Sequence, residues 1–363
     1  LMLMVLDDDE IEHPPVECVF TTEEEVGLNG AKALDKSVLK ARTMINMDSE
    51  DEGVATVSCA GGLRVQFTKE IKRTTVQGSL LTLKVEGLLG GHSGQDIDKE
   101  RQNADLLMAR MIQRLLKETK GQLVSFNGGT KDNAIPRECE ASLIYESDEE
   151  AAKAEELACE LAETYAEELT PAEPDFSCEI SCETNRTAEA IPQDAAKEFI
   201  CAMRLAPNGI QKRNIKMDGF VVVSLNLGVV RTEEDRIVMI FSPRSSVASL
   251  QEDTKERLNT LAETFGFTVS HSSEYPGWSF KEDSPVREIC KESYKELFGE
   301  DLKIEAIHAG LECGLFSDAI KGLDAIAIGP TIANCHTPDE YLTLDSFERF
   351  YEFLKDILSR LAK

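Results

Sequence analysis

The chain has 363 residues, 42% of them hydrophobic, so it is long enough to bury a sizeable core and to form about two domains. Its formal net charge of −28 argues against nucleic acid or an anionic membrane surface as a partner. The longest apolar runs are too short to span a bilayer, and the ten cysteines lack the Cys-x-x-Cys spacing of a metal finger. We therefore predict a cytoplasmic protein with free thiols.

The first part of the chain contains two apolar segments that end at carboxylates. Residues 16–20 predict a strand that stops before Glu24 and Glu25, and residues 43–47 predict a strand that stops at Asp48. In an open α/β sheet, binding sites form at the carboxyl ends of the strands. We expect these carboxylates to meet at that edge.

The middle of the chain has strands and helices in the order of a split β-α-β layer. Residues 81–85 predict a strand and residues 104–115 an amphipathic helix, with His92 between them in a glycine-bracketed loop. Ser147 and Glu150 predict a capping box. Further strands are predicted at 123–126, 141–145, 221–227, 238–241 and 267–270, and further helices at 148–165 and 250–265. After residue 220 the same order of strands and helices is repeated less clearly. We interpret the segment as an α+β domain with a duplicated unit.

From about residue 275 the pattern returns to the α/β type. Ser284-Pro285 predicts the start of a helix and Gly299 its end. Residues 323–328 predict a buried parallel strand, and Asp345 is predicted to cap the last helix. The chain is therefore predicted to contain one domain, residues 1–62 and 275–363, interrupted by another, residues 63–274.

Separated carboxylate and imidazole groups are the main chemical signal. Glu24-Glu25, Asp48, His92 and His336 combine oxygen and nitrogen donors of the kind that divalent cations bind. A carboxylate beside such a site can deprotonate a metal-bound water. These residues favour a hydrolytic metal centre.

Each of these residues also has a simpler interpretation. The glutamates could form a solvated helix start, Asp48 a turn, and His336 a buried core histidine. The strand before the glutamates and the Thr-Pro-Asp-Glu sequence after His336 favour the metal site instead. Cys313 and Cys335 are predicted to pack rather than to act as nucleophiles, since neither has a histidine–carboxylate relay.

Seven short stretches resemble the M20 metallopeptidases, and within them the aminoacyl-histidine (Xaa-His, carnosinase-type) dipeptidases. They follow the order of the family over nearly the whole chain and read FTTEEEVG (20–27), INMDSEDEG (45–53), CAGG (59–62), GGHSGQDI (90–97) with RQN (101–103), NAIPRE (133–138), IHAGLECG (307–314) and GPTIANCHTPDE (329–340). The resemblance implies an open mixed-sheet, zinc-peptidase-like catalytic domain interrupted by a ferredoxin-like lid and dimerisation domain.

The resemblance also implies roles for the metal-site residues. Glu24 matches the general base, and Glu25 matches a ligand of one metal together with His336. Asp48 matches a ligand of the second metal. The implied cofactors are two divalent cations, zinc by preference and manganese or cobalt as alternatives.

The inserted domain supplies most of the remaining implied residues. His92 matches the histidine that stabilises the carbonyl oxyanion of a neighbouring site. Asn133 and Arg244 match substrate-contacting positions, and Glu312 is assigned to the substrate amino group. The implied partners are a small peptide substrate and a second copy of the chain, bound through the inserted domain.

One departure from the family concerns residues before Glu24. A His-x-Asp motif and a metal-bridging Asp precede the glutamates in the family, and this sequence has neither; His13 has no such context. Residues 1–6 read as the end of a helix and match the segment that follows the bridging Asp. We therefore expect a chain that lacks the front of its catalytic domain, binds metal poorly and is weakly active or inactive.

Two alternatives to a dipeptidase remain open. One is another hydrolase of the same family, namely a tripeptidase, a carboxypeptidase or an N-acyl amino acid amidohydrolase. The other is a non-catalytic binding or dimerisation module that keeps the inserted domain without the chemistry. Metal content and a panel of substrates separate these alternatives.

Overall fold

The computed structural model describes residues 1–24, 27–215, 219–335 and 337–363. Contacts between these residues divide the chain into two compact units. The first unit consists of Leu1–Gly61, Ser246–Ala248 and Tyr275–Lys363, and the second consists of Gly62–Ser245 and Ser249–Glu274.

The helices in chain order are α1 (Met2–Asp7), α2 (Asn29–Ala33), α3 (Ala104–Glu118), α4 (Asp148–Leu169), α5 (Gln193–Leu205), α6 (Ala248–Thr264), α7 (Pro285–Phe298), α8 (Glu312–Ala319) and α9 (Leu344–Leu361). Short 3-10 helices lie at Lys36–Val38 and Ile97–Lys99. The strands are β1 (Thr43–Asn46), β2 (Val54–Cys59), β3 (Gly61–Glu70), β4 (Thr74–Glu86), β5 (Gly91–His92), β6 (Gln122–Gly128), β7 (Ala134–Ile135), β8 (Cys139–Tyr145), β9 (Ser177–Ala190), β10 (Gly209–Arg213), β11 (Val221–Thr232), β12 (Arg236–Ser245), β13 (Thr268–Tyr275), β14 (Lys303–Ile307), β15 (Asp324–Ala327), β16 (Ile332–Ala333) and β17 (Tyr341–Leu342).

The first unit contains a mixed sheet with strand order β1-β15-β2-β14. β1 runs parallel to β15, β15 antiparallel to β2, and β2 parallel to β14. All four residues of β15 are buried, as expected for an apolar strand inside a sheet. The buried strand predicted at 323–328 is thus confirmed; it is parallel to β1, as predicted, but antiparallel to β2.

The segment at residues 16–20 does not form the predicted strand. The carboxylate of Glu17 accepts hydrogen bonds from the backbone N–H groups of Lys40 and Ala41, both at 2.9 Å. Val19 packs against a hydrophobic cluster that includes Phe316. The apolar pattern therefore reflects packing of an extended segment that is held by a side chain instead of a strand ladder.

The helices α7 and α9 pack together through aromatic rings. The ring centroids of Tyr294 and Phe353 lie 5.2 Å apart at an interplanar angle of 79°. Ser284 caps α7, as predicted, because its side chain accepts the Arg287 N–H. The predicted cap of α9 is wrong, since α9 begins after Thr343 and Asp345 lies in its first turn. A carboxylate in the first turn is still stabilised by the positive end of the helix dipole.

The second unit is built on a large sheet with strand order β13-β3-β12-β11-β6-β8-β4-β9 and with β10 paired to β11. One half of this sheet consists of β4, β6, β8 and β9. If these are numbered 1 to 4 in chain order, their order across the sheet is 4-1-3-2, which is the ferredoxin-like arrangement. The other half has the same order when β3, β11, β12 and β13 are read in this way. Strand order does not establish common origin, so the duplication stays a prediction.

The core of the second unit lies between this sheet and its helices. Phe126 and Phe199 meet edge to face at 5.4 Å, and the predicted helix α3 buries Met108, Met111 and Leu115. These buried side chains remove apolar surface from water and so stabilise the layer. The α/β and α+β character predicted from the sequence corresponds to these two sheets.

The predicted capping box of α4 forms only in part. The Ser147 hydroxyl accepts the Glu150 N–H at 3.5 Å, but the Glu150 carboxylate accepts the N–H of Lys120 at 3.1 Å. A tertiary contact has therefore taken the place of the reciprocal capping bond.

Within the described ranges, no helix combines the length and apolar character needed to cross a membrane. All ten cysteines are free thiols, as predicted.

Candidate active site

Glu24 lies between residue 22 and α2. Its backbone carbonyl accepts hydrogen bonds from the N–H groups of Gly27 at 3.0 Å and Leu28 at 2.8 Å. Gly30 lies so close to the Thr22 backbone that a methyl group there would overlap it. Glycine is therefore required at this approach, and the loop holds Glu24 half-buried. Glu25 lies outside the described residues.

Asp48 follows β1 at the edge of the first unit's sheet. Its N–H donates to the Asn46 side-chain oxygen at 3.1 Å, which is an Asx turn. The backbone of the next residue, Ser49, lies against Gly329 after β15, and a methyl group on Gly329 would overlap the Ser49 carbonyl. Because β1 and β15 are parallel neighbours, their carboxyl ends bring these two loops together.

The Asp48 loop also contacts the segment that precedes His336. The Ile332 N–H donates to the Glu50 carbonyl at 2.9 Å. Partial burial and the nearby Glu50 carboxylate raise the pKa of the Cys335 thiol to about 11. The predicted ligand Asp48 is thus close to a loop that reaches residue 335, whereas His336 lies outside the described part of the chain.

The start of α8 lies near the Asp48 loop. Cys313 is completely buried, and its pKa is well above the ordinary value because of burial, with smaller contributions from nearby groups that include Glu312 and Asp48. A neutral thiol is a poor nucleophile, which supports the packing role predicted for Cys313. One carboxylate oxygen of Glu312 is buried without a hydrogen-bond partner among the described residues.

Helix α8 also contacts the element that follows the Glu24 loop. Ala31 of α2 packs against Phe316 and Ile320 at the far end of α8. Glu24, Asp48 and Glu312 are therefore all carried by loops or helix ends that adjoin α8.

The donor chemistry of these residues fits a divalent cation. Carboxylate oxygens are hard donors, and Asp48 is exposed at the sheet edge where a cation could reach it. Within residues 1–24, 27–215, 219–335 and 337–363, no group of three His, Cys, Asp or Glu side chains could hold a metal ion. Glu25 and His336, two of the three predicted ligands, are outside these ranges.

In the second unit, the surroundings of His92 favour one protonation form. The His92 Nδ1 atom accepts the backbone N–H groups of Gln95 at 3.0 Å and Gly94 at 3.3 Å, so a neutral ring carries its proton on Nε2. Burial, together with the positive charge of Arg244, lowers the pKa of His92. The Asp96 carboxylate accepts the backbone N–H of His92 at 2.8 Å and fixes the loop.

Asn133 and Arg244 lie close to this histidine within the second unit. The Asn133 carbonyl accepts the Ser93 N–H at 2.8 Å, and His92 pairs with Ala134 between β5 and β7. Arg244 is buried on β12, and its charge acts on His92. The structure therefore brings His92, Asn133 and Arg244 together.

Sequence reasoning missed the residues that hold these loops, notably Asn226. It is 1% exposed on β11, where its neighbours Leu225 and Leu227 are completely buried. A buried amide in a strand needs hydrogen-bond partners. An asparagine within the apolar run 221–227 was the available signal.

Comparison with known proteins adds the family. The sequence model that represents peptidase family M20/M25/M40 matches residues 2–360 of this chain. The chain belongs to this family. Its sequence is 33% identical over 365 aligned positions to the cytosol non-specific dipeptidase of Escherichia coli (strain K12), covering 99% of this chain and 74% of that protein.

A solved structure agrees with this family assignment. The crystal structure of aminoacylhistidine dipeptidase from Vibrio alginolyticus superimposes with a TM-score of 0.94 at 34% identity, covering 99% of this chain and 73% of that chain. The family and the open-sheet mixed α/β fold predicted from sequence are thereby confirmed.

Membership of M20 makes the chain a peptidase, and peptidases of this family are metal-dependent. The relatives support a dipeptidase in particular. The roles of the individual M20 site residues stay predictions.

Proposed function

We propose that this protein hydrolyses dipeptides, Xaa-His dipeptides among them, with the first unit as catalytic domain and the second as lid. The observation that carries the proposal is the contact between the Asp48 loop and the segment before His336, made by the Ile332 N–H and the Glu50 carbonyl at 2.9 Å. It links two regions far apart in sequence that both hold predicted ligands. Similarity to two proteins named as dipeptidases supports the substrate class.

In this proposal Glu25 and His336 hold one divalent cation and Asp48 holds another. Zinc is the proposed ion, with manganese or cobalt as alternatives. When bound, the ions polarise the scissile carbonyl and lower the pKa of a water molecule. Glu24 takes a proton from that water and passes it to the leaving amine. Glu312, with a buried carboxylate oxygen, binds the substrate amino group.

The second unit supplies groups that bind and orient the substrate. His92 donates from Nε2–H to the oxygen that becomes negative, and its lowered pKa keeps the ring neutral near pH 7. Arg244 binds the peptide carboxylate with its planar guanidinium, and Asn133 contacts the substrate backbone. We also propose that two copies associate through this unit and that the protein is cytoplasmic.

Histidine specificity is the finer part of the proposal and rests on the aminoacylhistidine dipeptidase. The Escherichia coli relative is named non-specific, which favours a broad dipeptidase as second candidate. Hydrolysis of a panel of Xaa-His and other dipeptides, tripeptides and N-acyl amino acids tests both. Similar kcat/KM values for all dipeptides would favour the broad enzyme, and activity confined to tripeptides or N-acyl amino acids would overturn the dipeptidase proposal.

The level of activity is a separate part of the proposal. Because Glu25, Asp48 and His336 supply few protein ligands for two cations, we expect weak metal binding and low turnover by this chain. Elemental analysis of the purified protein, with turnover measured after addition of Zn²⁺, Mn²⁺ or Co²⁺, tests this expectation. Near two ions per chain with fast turnover would show it wrong, and no metal with no turnover would favour the non-catalytic module.

A further inference from the structure

The side chain of Asn226 bridges two carbonyl groups on either side of a proposed substrate-binding residue. Its Nδ2 atom donates to the carbonyl of Ala134 at 2.8 Å and to that of Asp132 at 3.3 Å. The residue between these carbonyls is Asn133. A single buried carboxamide therefore sets the path of the backbone that presents Asn133.

The orientation of this carboxamide follows from a second asparagine, Asn103. Asn103 caps α3, and its Oδ1 accepts the N–H groups of Asp105 and Leu106. Its Nδ2 must then point away from the helix, where it donates to the Leu227 carbonyl at 2.8 Å and to the Asn226 Oδ1 at 3.5 Å. The Oδ1 of Asn226 faces Asn103, so its Nδ2 faces the Asn133 loop.

Two further contacts hold the same loop against β11 and β3. The β11 register shifts between Leu227 and Val229, and Gly228 at this bulge lies so close to Asp132 that a methyl group would overlap its carbonyl. The Arg64 side chain on β3 pairs with the Asp132 carboxylate at 2.8 Å. The loop is thus fixed from its backbone side, and Asn133 is left exposed.

The same loop is the partner of the His92 segment. The Asn133 carbonyl accepts the Ser93 N–H at 2.8 Å, and Ala134 is the strand partner of His92. A shift of the loop would move Asn133 and, through these two connections, the ring of His92. Misplacement of a catalytic group by about 1 Å can cost about 10²-fold in rate.

We propose that Asn226 is a positioning residue that sets Asn133 and His92 together, and that Asn103 fixes its orientation. The proposal rests on the proposed function, because it assigns to Asn226 an effect on groups proposed to act on the substrate. It attributes no contact with the substrate to Asn226 itself. A purely structural asparagine would stabilise the fold without affecting the presentation of these two side chains.

The test compares the 363-residue parent chain with Asn226→Asp, both loaded with Zn²⁺ or Mn²⁺. Aspartate has nearly the same size but places an oxygen opposite the two carbonyls, so both donated hydrogen bonds are lost. Asn259→Asp is the matched control, since Asn259 lies on α6 of the same unit and its side chain bonds to His271. Steady-state kinetics on a dipeptide are combined with residue-resolved hydrogen exchange. The exchange rates report whether the loop's backbone amides are still protected, and they do not depend on catalytic activity.

We expect Asn226→Asp to lower kcat/KM by about 10²-fold, mostly through kcat, because the oxyanion donor is displaced. We also expect exchange of the Ser93 and Ala134 amides to accelerate at least about tenfold, with β4 and β8 unchanged. Asn259→Asp should match the parent in both measurements. Unchanged exchange at Ser93 and Ala134 would overturn the proposal, as would accelerated exchange with unchanged kcat/KM.

A second variant covers the case in which Asn226→Asp fails to fold. Asn103→Asp keeps the helix cap, since aspartate is also a good N-cap residue, but it removes the Nδ2 donor that orients Asn226. It should give the same pattern of faster exchange at Ser93 and Ala134. If the parent chain hydrolyses no dipeptide, the proposed function fails, while the exchange data still decide whether Asn226 positions the loop.

Discussion

The Nδ1 atom of His92 accepts a hydrogen bond from the Gln95 backbone N–H at 3.0 Å. This bond leaves Nε2 as the protonated nitrogen of the neutral ring. The histidine is therefore prepared as a hydrogen-bond donor before a substrate arrives, which is what stabilisation of an oxyanion requires.

We expect the His92 ring to titrate below the ordinary histidine value of about 6.5, because burial and Arg244 both disfavour its charged form. The folded chain then binds this proton less readily than the unfolded chain, so the free energy of unfolding should fall as pH drops below about 6.5. NMR titration of the ring measures the shift. Arg244→Gln should raise the His92 pKa, whereas Arg236→Gln, on the same strand but paired with Glu233, should leave it unchanged. Equal midpoints in all three proteins would contradict the assigned role of Arg244.

Glu24→Gln should reduce kcat by about 10²- to 10⁴-fold relative to the parent chain, because glutamine cannot accept the proton from water. Metal content should be unchanged, since Glu24 is proposed as a base and not as a ligand. The adjacent exposed carboxylate of Glu23, which accepts a hydrogen bond from Asn29, provides the control Glu23→Gln. Loss of metal in Glu24→Gln, or an equal loss of kcat in Glu23→Gln, would argue against the assignment.

Gly329→Ala should weaken metal binding and lower the free energy of unfolding by about 1–3 kcal/mol, because the added methyl overlaps the Ser49 carbonyl and displaces the Asp48 loop. Titration with Zn²⁺ and urea denaturation measure the two effects. Gly322→Ala is the control: Gly322 has φ +81° and open space around it, so only local backbone strain is added. Unchanged metal affinity in Gly329→Ala would show that the close approach of Gly329 to Ser49 does not support the metal site.

Asp105 gives a prediction about stability in the second unit. It is completely buried beside Cys139, and burial raises the pKa of its carboxyl to about 8, in spite of the opposing effects of Cys139 and Arg231. Between about pH 4 and pH 8 the folded chain holds a proton that the unfolded chain releases, so this carboxyl makes stability fall as pH rises.

The free energy of unfolding of Asp105→Asn, taken relative to that of the parent, should therefore rise by at least about 1 kcal/mol as the pH increases from 5 to 9. Urea denaturation at several pH values measures the difference. Asp253→Asn, at an exposed position of α6, should leave the pH dependence of the parent unchanged. The same slope in Asp105→Asn and in the parent would show that Asp105 is not the group responsible.

Local patterns were sufficient for several elements of the fold. Helical spacing from Ala104 to Leu115 predicted α3, and the apolar run at 323–328 predicted β15, because each pattern reflects a face buried along its whole length. The pattern at residues 16–20 misled, since an extended apolar segment packs in the same way with or without a strand partner. Periodicity reports burial and carries no information on which backbone groups are paired.

The candidate site was predictable in composition but only partly in geometry. Family resemblance supplied His92 and Arg244, yet their proximity depends on how two separate sheets pack, namely the β5–β7 pair that carries His92 and the large sheet whose strand β12 carries Arg244. Asn226 and Gly329 were missed because their importance comes from a close tertiary approach, to Ala134 and Ser49 respectively. Such contacts leave no mark at short sequence spacing.

In the first unit, Cys59 and Trp278 exchange backbone hydrogen bonds at 3.0 and 2.9 Å, and the whole second unit lies between them in sequence. Joining these two positions while the intervening chain is still unfolded would close a very long loop, with a corresponding loss of conformational entropy. Prior collapse of the intervening segment around its own core shortens that loop. We therefore expect amides of the second unit to gain protection before those of Cys59 and Trp278 in pulse-labelling refolding experiments, so that the interrupted sheet is completed last.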